Sequence, residues 1–252
     1  MPLVHLQDLP AALGLLTRLP IPVDGDLATR RGAMAAWAWP LAGGIIGGLV
    51  ACFALLLLWV GLPLPLTAFL ALACQIMLTG ALHEDGLADT ADGLWGGYDR
   101  ARRLEIMKDS RIGAYGVIAI VLSLAARGVA LTLVLDGPFP ILALIAVGVI
   151  SRLPMVLLMA AMPNARGSGL AQSVGRPGVA TSGLAAALTL LIGAICLGWA
   201  LLPLLLWGGL ITIGLALIAR AKIGGQTGDI LGASQQLAEI TGLFVLASLI
   251  SP

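Results

Sequence analysis

The chain has 252 residues, of which 59% are hydrophobic and only 11% charged, less than half the roughly 25% charged share of a soluble globular domain. Its formal net charge of +1 provides no basic patch of the kind that nucleic-acid binding requires, so nucleic acid is excluded as a partner. Cys52, Cys74 and Cys196 all lie inside apolar runs, where they read as packing residues rather than as a disulfide or a zinc set.

In chain order, the first segment is Met-Pro-Leu-Val-His-Leu-Gln-Asp, with neither a basic n-region nor a cleavage pattern, so the apolar segments that follow are expected to be retained. Within 3–19, Leu3, Leu6, Leu9, Leu13 and Leu16 recur in a roughly helical rhythm. Interrupted by Asp8 and Arg18, this segment predicts an amphipathic helix on the inner membrane surface, inside a cytoplasmic N-terminal segment over 1–31. Runs long enough to cross about 30 Å of hydrocarbon fall at 35–61, 64–82, 112–135, 139–162, 179–200 and 203–219, with a weaker one at 236–250. The expectation is an all-α, polytopic membrane protein of one domain with about seven transmembrane helices. Gly61-Leu62-Pro63, Gly137-Pro138 and the stretch Trp199 to Pro203 mark turns. Tryptophans 37, 39, 59, 199 and 207 fall at or near span ends, as an interfacial belt predicts.

The basic residues orient these spans. Arg18, Arg30 and Arg31 precede the first. Arg100, Arg102, Arg103, Lys108 and Arg111 separate the second and third, Arg166 and Arg176 follow the fourth, and Arg220 and Lys222 follow the sixth. The turns near 62, 137 and 201 carry no Lys or Arg. By the positive-inside rule the loops 83–111, 163–178 and 220–235 are then cytoplasmic.

The chemistry gathers on that face. In His83-Glu84-Asp85-Gly86-Leu87-Ala88-Asp89-Thr90-Ala91-Asp92-Gly93, the residues Asp85, Asp89 and Asp92 stand at i, i+4 and i+7, one face of a helix. With Glu84 and Asp99 they form a local excess of carboxylates with no Lys or Arg between 83 and 99. Crowded carboxylates repel one another and take up protons, and a hard divalent cation relieves the conflict. The oxygen-only set Glu84, Asp85, Asp89 and Asp92 suits Mg²⁺, and a Mg²⁺ site of this kind would hold a diphosphate-bearing substrate. His83 beside it is a candidate base or substrate contact.

A second constellation, Met107-Lys108-Asp109-Ser110-Arg111-Ile112-Gly113, sits at the entrance to the third span. There Lys108 and Arg111 suit phosphate oxygens, and Ser110 is expected to cap the following helix, whose amides favour an anion. A third, Gly224-Gly225-Gln226-Thr227-Gly228-Asp229, joins the sixth and seventh spans. Its glycines allow close backbone approach to a ligand, and Gln226, Thr227 and Asp229 offer groups for a base, a ribose or a metal. Arg127 and Arg152 lie well inside spans, where a charge costs roughly 2.5–3.5 kcal/mol even on the lenient scale and faces a polar cavity or a partner. Arg152 is the stronger candidate for a buried anionic group of the substrate.

These three motifs, in this order and over the whole chain, resemble the cobalamin synthase family (adenosylcobinamide-GDP ribazoletransferase, cobalamin-5′-phosphate synthase). The resemblance implies a multi-pass enzyme of the bacterial inner membrane that uses Mg²⁺. It joins adenosylcobinamide-GDP to α-ribazole or its 5′-phosphate and releases GMP. Mapped onto this chain, it gives Asp85, Asp89, Asp92, Lys108 and Arg111 catalytic roles. Glu84, His83, Asp109, Ser110, Arg152, Gly225, Gln226, Thr227 and Asp229 become substrate contacts. The residues on their own are also compatible with a CDP-alcohol phosphotransferase or a polyprenyl transferase. A transporter would distribute its polar residues across mid-span positions. A homo-oligomer is compatible with the sequence.

Overall fold

The computed structural model describes residues 2–250. Among them there is no strand, only a single bridge between Asn164 and Gln226. The helices run in order as α1 (Asp8–Leu16), α2 (Gly25–Arg31), α3 (Trp39–Trp59), α4 (Leu64–Thr79), α5 (Leu82–Gly96), α6 (Arg100–Ile106), α7 (Ala114–Asp136), α8 (Pro140–Ala161), α9 (Leu170–Val174), α10 (Val179–Leu197), α11 (Leu201–Ile223) and α12 (Gly228–Ile250). The protein is all-α and built of apolar, membrane-type helices. Among the described residues, five continuous stretches are long and apolar enough to cross a membrane, or six if the bent pair α4–α5 counts as one span. Seven separate crossings are therefore not confirmed on length and apolarity. The stretch Val179–Ile223 contains both α10 and α11, and Leu201 folds back so that an added Cβ on Gly193 would stand 2.8 Å from its Cδ1.

Two helices form the centre. In α8 and in α12, 72% of the most apolar window is buried within the protein. α12 extends to Gly228, well before the expected start at 236, and it carries Gln235, Gln236 and Glu239, all buried. Those polar residues are why its apolar signal is the weakest of the spans. α8 lies against α3 at backbone contact. A Cβ on Gly43 would collide with the carbonyl of Gly148, and one on Gly47 with the carbonyl of Leu144. This is the small-residue packing that replaces hydrophobic drive between helices in lipid.

The chain turns sharply between α4 and α5. Gly80 (φ 63°) and Ala81 (φ 57°) are both left-handed, and the two helices meet at 88°. Ala81 is the one non-glycine residue of positive φ among the described residues, and such a residue is uncommon. The turn is braced by Arg18, whose amide donates to the Leu78 carbonyl at 2.7 Å. α5 therefore leaves the direction of the span and carries the acidic motif along one end of the bundle.

The N-terminal helix is shorter and more buried than its sequence suggests. α1 spans nine residues, and Asp8 faces inward. Its carboxylate pairs with Arg31 and accepts from Trp37 Nε1 at 2.8 Å. Trp37 and Trp39 are buried, whereas Trp59, Trp199 and Trp207 are exposed, so only the latter three suit an interfacial belt. Arg31 is likewise internal glue, not only a topology signal.

Gly47→Val should wedge α3 from α8. Because the obstacle is backbone, which cannot rotate away, the variant should show a clearly lower Tm in detergent and a reduced yield of monodisperse protein. Gly48→Ala, whose Cβ would stand 3.6 Å from the nearest atom, should behave like the parent.

Candidate active site

The acidic motif is helical, as its spacing predicts: α5 covers Leu82–Gly96. It crosses α12 where two glycines meet. A Cβ on Gly86 would stand 3.0 Å from the Asp229 carbonyl oxygen and 3.1 Å from Gly232 Cα. This crossing brings Asp85 and Asp89 of α5 to the first turn of α12, where Asp229 stands. The Asp89 carboxyl is pushed up to about 7 by burial and by the negative charges of Asp229 and Asp85, with Arg166 opposing. Arg166 Nη2 lies 2.6 Å from Asp229 Oδ2. The carboxylates gathered at this crossing are thus Asp85, Asp89 and Asp229, with one arginine.

Two of the expected metal ligands are employed elsewhere. Asp92 accepts from the amides of Gly113 at 2.7 Å and Gly116 at 2.8 Å, the unsatisfied donors at the start of α7. A Cβ at either glycine would collide with the Asp92 carboxylate, so both positions admit the anion because they are glycine. Ser110 does not cap this helix, since α7 begins four residues later and its leading amides already have Asp92. Glu84 turns inward, with Oε1 2.9 Å from Arg127 Nη2 and 3.2 Å from Gln236 Nε2. Among the described residues, no three His, Cys, Asp or Glu side chains are gathered closely enough to hold a metal ion by themselves.

Below the cluster the buried charges are paired. Arg127 reaches Glu239 at 3.1 Å as well as Glu84, and Arg152 Nη1 lies 3.5 Å from Glu239. Gln75 and Gln235 also donate to Glu239, at 2.8 and 2.6 Å, and Arg152 donates to Ser151 at 2.9 Å. Two arginines and two glutamates thus cancel one another within the bundle. Arg152, expected at a substrate anion, is occupied by Glu239. Arg127 is matched by two carboxylates.

The other motifs divide in the same way. Gly225 packs onto the Pro163 carbonyl. Gln226 bridges the 163–165 backbone by donating to Pro163 at 2.9 Å and accepting from Ala165 at 2.8 Å. The close approach that its glycines permit is therefore made to protein backbone. The Gln226 side chain is buried with Oε1 unpartnered. Thr227 Oγ1 accepts from the Ile230 amide and donates to Asp229 Oδ2, both at 3.3 Å, which fixes the carboxylate at the head of α12. Lys108 is exposed, with Nζ 3.5 Å from Ser168 Oγ. Arg111 is exposed and pairs with Asp109 at 2.7 Å, holding that carboxyl below its usual range.

A cavity of about 180 Å³ opens beside the cluster. Its polar end holds Asp85, Asp229, Arg166 and His83, and its walls are Leu15, Leu16, Trp39, Met155, Met159 and Leu170. His83 is buried and its Nε2 has no partner. Sequence reasoning missed Arg166 as a site residue, along with the α9 wall. An arginine in a cytoplasmic loop reads as an orientation signal, and only the bridge between 163–165 and Gln226 reveals that it faces Asp229.

The chain matches the family model described as Cobalamin-5-phosphate synthase over residues 8–247. The chain belongs to the cobalamin-5-phosphate synthase family. Family relatives are named adenosylcobinamide-GDP ribazoletransferase. That of Bradyrhizobium diazoefficiens is 43% identical over 248 residues, covering 96% of this chain and 94% of its own. Those of Azorhizobium caulinodans and Mesorhizobium japonicum are each 42% identical, covering 94% and 98% of this chain and 94% and 95% of their own. No solved structure matches.

The Asp92 contacts carry a prediction about stability. Asp92→Ala removes both acceptors from the start of α7 and should destabilise by about 0.5–2 kcal/mol, read as a lowered Tm of the purified protein. Asp92→Asn keeps one acceptor oxygen but sets an NH2 against the second amide, so its Tm should fall between those of the parent and Asp92→Ala. An unchanged Tm in Asp92→Ala would show that α7 does not rely on it.

Proposed function

We propose that the protein catalyses the Mg²⁺-dependent joining of adenosylcobinamide-GDP to α-ribazole or its 5′-phosphate, with release of GMP. The observation that carries this reading is the convergence of Asp85, Asp89 and Asp229 at the α5–α12 crossing. The names of the relatives supply the substrates. The reaction is a displacement at phosphorus. A ribose hydroxyl of the acceptor forms a bond to the phosphorus that carries the corrinoid's aminopropanol arm, the bond to the GMP oxygen breaks, and the hydroxyl proton passes to a carboxylate of the cluster. Such chemistry needs positioning and charge neutralisation above all.

The residues fit a hard cation. Asp85, Asp89 and Asp229 are oxygen donors, and the Asp89 carboxyl is raised by burial and by the charges of the other two. Mg²⁺ commonly takes one or two carboxylates, with waters and substrate phosphates completing its shell. That mode needs no preassembled set of three. When bound, the ion would neutralise charge on the diphosphate. Asp85 and Asp89 would hold it, with Asp229 beside them. Glu84 and Asp92, given their engagements with Arg127 and with the α7 amides, support the site by placing its helices. Lys108 and Arg111, exposed on the segment before α7, supply mobile positive charge for the leaving phosphate, and Arg166 supplies fixed charge.

The reading is tested by detecting GMP from adenosylcobinamide-GDP and α-ribazole with the purified protein. Turnover should need Mg²⁺ and stop with a chelator. Asp85→Asn and Asp89→Asn should each lose more than the roughly 10–100-fold that outer-shell changes cost, at unchanged Tm. Near-normal turnover in both variants would overturn the cation assignment. Absence of GMP from the parent would overturn the reaction.

We further propose the bacterial inner membrane, with the motif loops cytoplasmic, on the strength of the loop Lys and Arg distribution. On a background with Cys52, Cys74 and Cys196 replaced, an impermeant thiol reagent applied to intact cells should label Val60→Cys and Phe139→Cys. It should spare Gln172→Cys, and the reverse pattern would invert the topology.

A further inference from the structure

The cavity beside the carboxylates has two unlike ends, and only one suits phosphate. Its apolar part is formed by Leu16, Trp39, Met155 and Met159, each at most 5% exposed. Leu170 closes it from α9. Resting on the reaction proposed above, we infer that this apolar part, and not the carboxylate end, seats the base of the acceptor nucleoside, the flat and weakly polar benzimidazole ring of α-ribazole.

The argument is one of matching polarity. A guanine ring carries amide and amino groups around its edge, and burying these against Leu, Met and Trp side chains leaves them unsatisfied, which disfavours it there. A benzimidazole has almost none of these groups and gains from burial on every side. Two methionines suit such a surface, because a flexible thioether adapts to a ring face and contacts aromatics favourably. A corrin macrocycle is too large for a space of about 180 Å³. Among the polar side chains lining the cavity only His83 is fully buried, and its unpartnered Nε2 offers a single hydrogen bond to a ring nitrogen or a ribose hydroxyl. With the base seated there, the ribose lies toward Asp85 and Asp229, where the hydroxyl must be activated. The corrinoid diphosphate then approaches from the open side, past Arg166 and Lys108. The subsite thus separates the two substrates by polarity.

Two variants test this with the full-length protein. Leu170 is 57% exposed, so Leu170→Trp narrows the cavity from its rim without forcing a larger side chain into the core. It should raise the KM for α-ribazole at least tenfold and leave the KM for adenosylcobinamide-GDP within twofold of the parent. Met159→Ala widens the cavity and should shift preference toward acceptor nucleosides with bulkier bases. Binding of α-ribazole alone, by calorimetry, should weaken in parallel in Leu170→Trp. A selective rise in the KM for adenosylcobinamide-GDP would place guanine in the cavity and overturn the inference, as would equal effects on both substrates or none. If the parent releases no GMP, the proposed reaction fails. The calorimetric comparison still decides the subsite, since unchanged α-ribazole affinity in Leu170→Trp rejects it.

Discussion

The structure hangs on the neutral quartet of Arg127, Glu84, Glu239 and Arg152. An arginine in a bilayer is tolerated only with a partner or with water, and this quartet provides partners from four different helices. Arg127 comes from α7, Arg152 from α8, Glu239 from α12 and Glu84 from α5. Removing one member leaves an uncompensated buried charge, which costs about 3–5 kcal/mol. The helices that carry the site are therefore fixed relative to one another by electrostatic necessity as well as by packing. Glu84 is the pivotal member, because it belongs to the same helix as Asp85 and Asp89. Its engagement with Arg127 at 2.9 Å sets the rotation of α5 and with it the direction in which the next carboxylate points.

Glycine supplies the second constraint. α3 meets α8 at Gly43 and Gly47, α5 meets α12 at Gly86 and Gly232, and the 224–226 loop meets the 163–165 loop at Gly225. Each contact is at backbone distance, which side chains would prevent. The result is a site assembled from segments far apart in the chain yet held closely enough for the Asp89 carboxyl to feel Asp85 and Asp229.

Much of this was legible in the residues alone. The i, i+4, i+7 spacing of Asp85, Asp89 and Asp92 announced a helix, and the three polar motifs announced the family. What the spacing could not reveal is which carboxylates are spoken for. Asp92 shares a helical face with Asp85 by count, but its partners Gly113 and Gly116 lie on another helix. Glu84 finds Arg127 and Gln236 only once the bundle closes. The same holds for Asp8, whose charge read as a surface feature until Arg31 and Trp37 closed over it. Arg166 escaped notice because orientation signals and ligand contacts use the same residue type, and only three-dimensional adjacency separates them. α12 looked marginal because its buried polar residues dilute apolarity, although Arg127 and Gln75 satisfy Glu239, Ser151 meets Gln235, and Ser123 and Glu84 meet Gln236.

The bond from Asp92 to the start of α7 also shapes the segment between them. It pins two points 21 residues apart in sequence, Asp92 and Gly113, and so closes α6 and the Lys108–Arg111 stretch into a loop with a fixed neck. A chain already closed at its neck has less configurational freedom to surrender than one tethered at a single end. Lys108 and Arg111 lie exposed on that closed loop, above helices whose positions the neck fixes. The carboxylate that reads as a metal ligand in the sequence serves, in the fold, to close this neck, and under the proposed reaction it would lower the entropic cost of holding Lys108 and Arg111 toward phosphate.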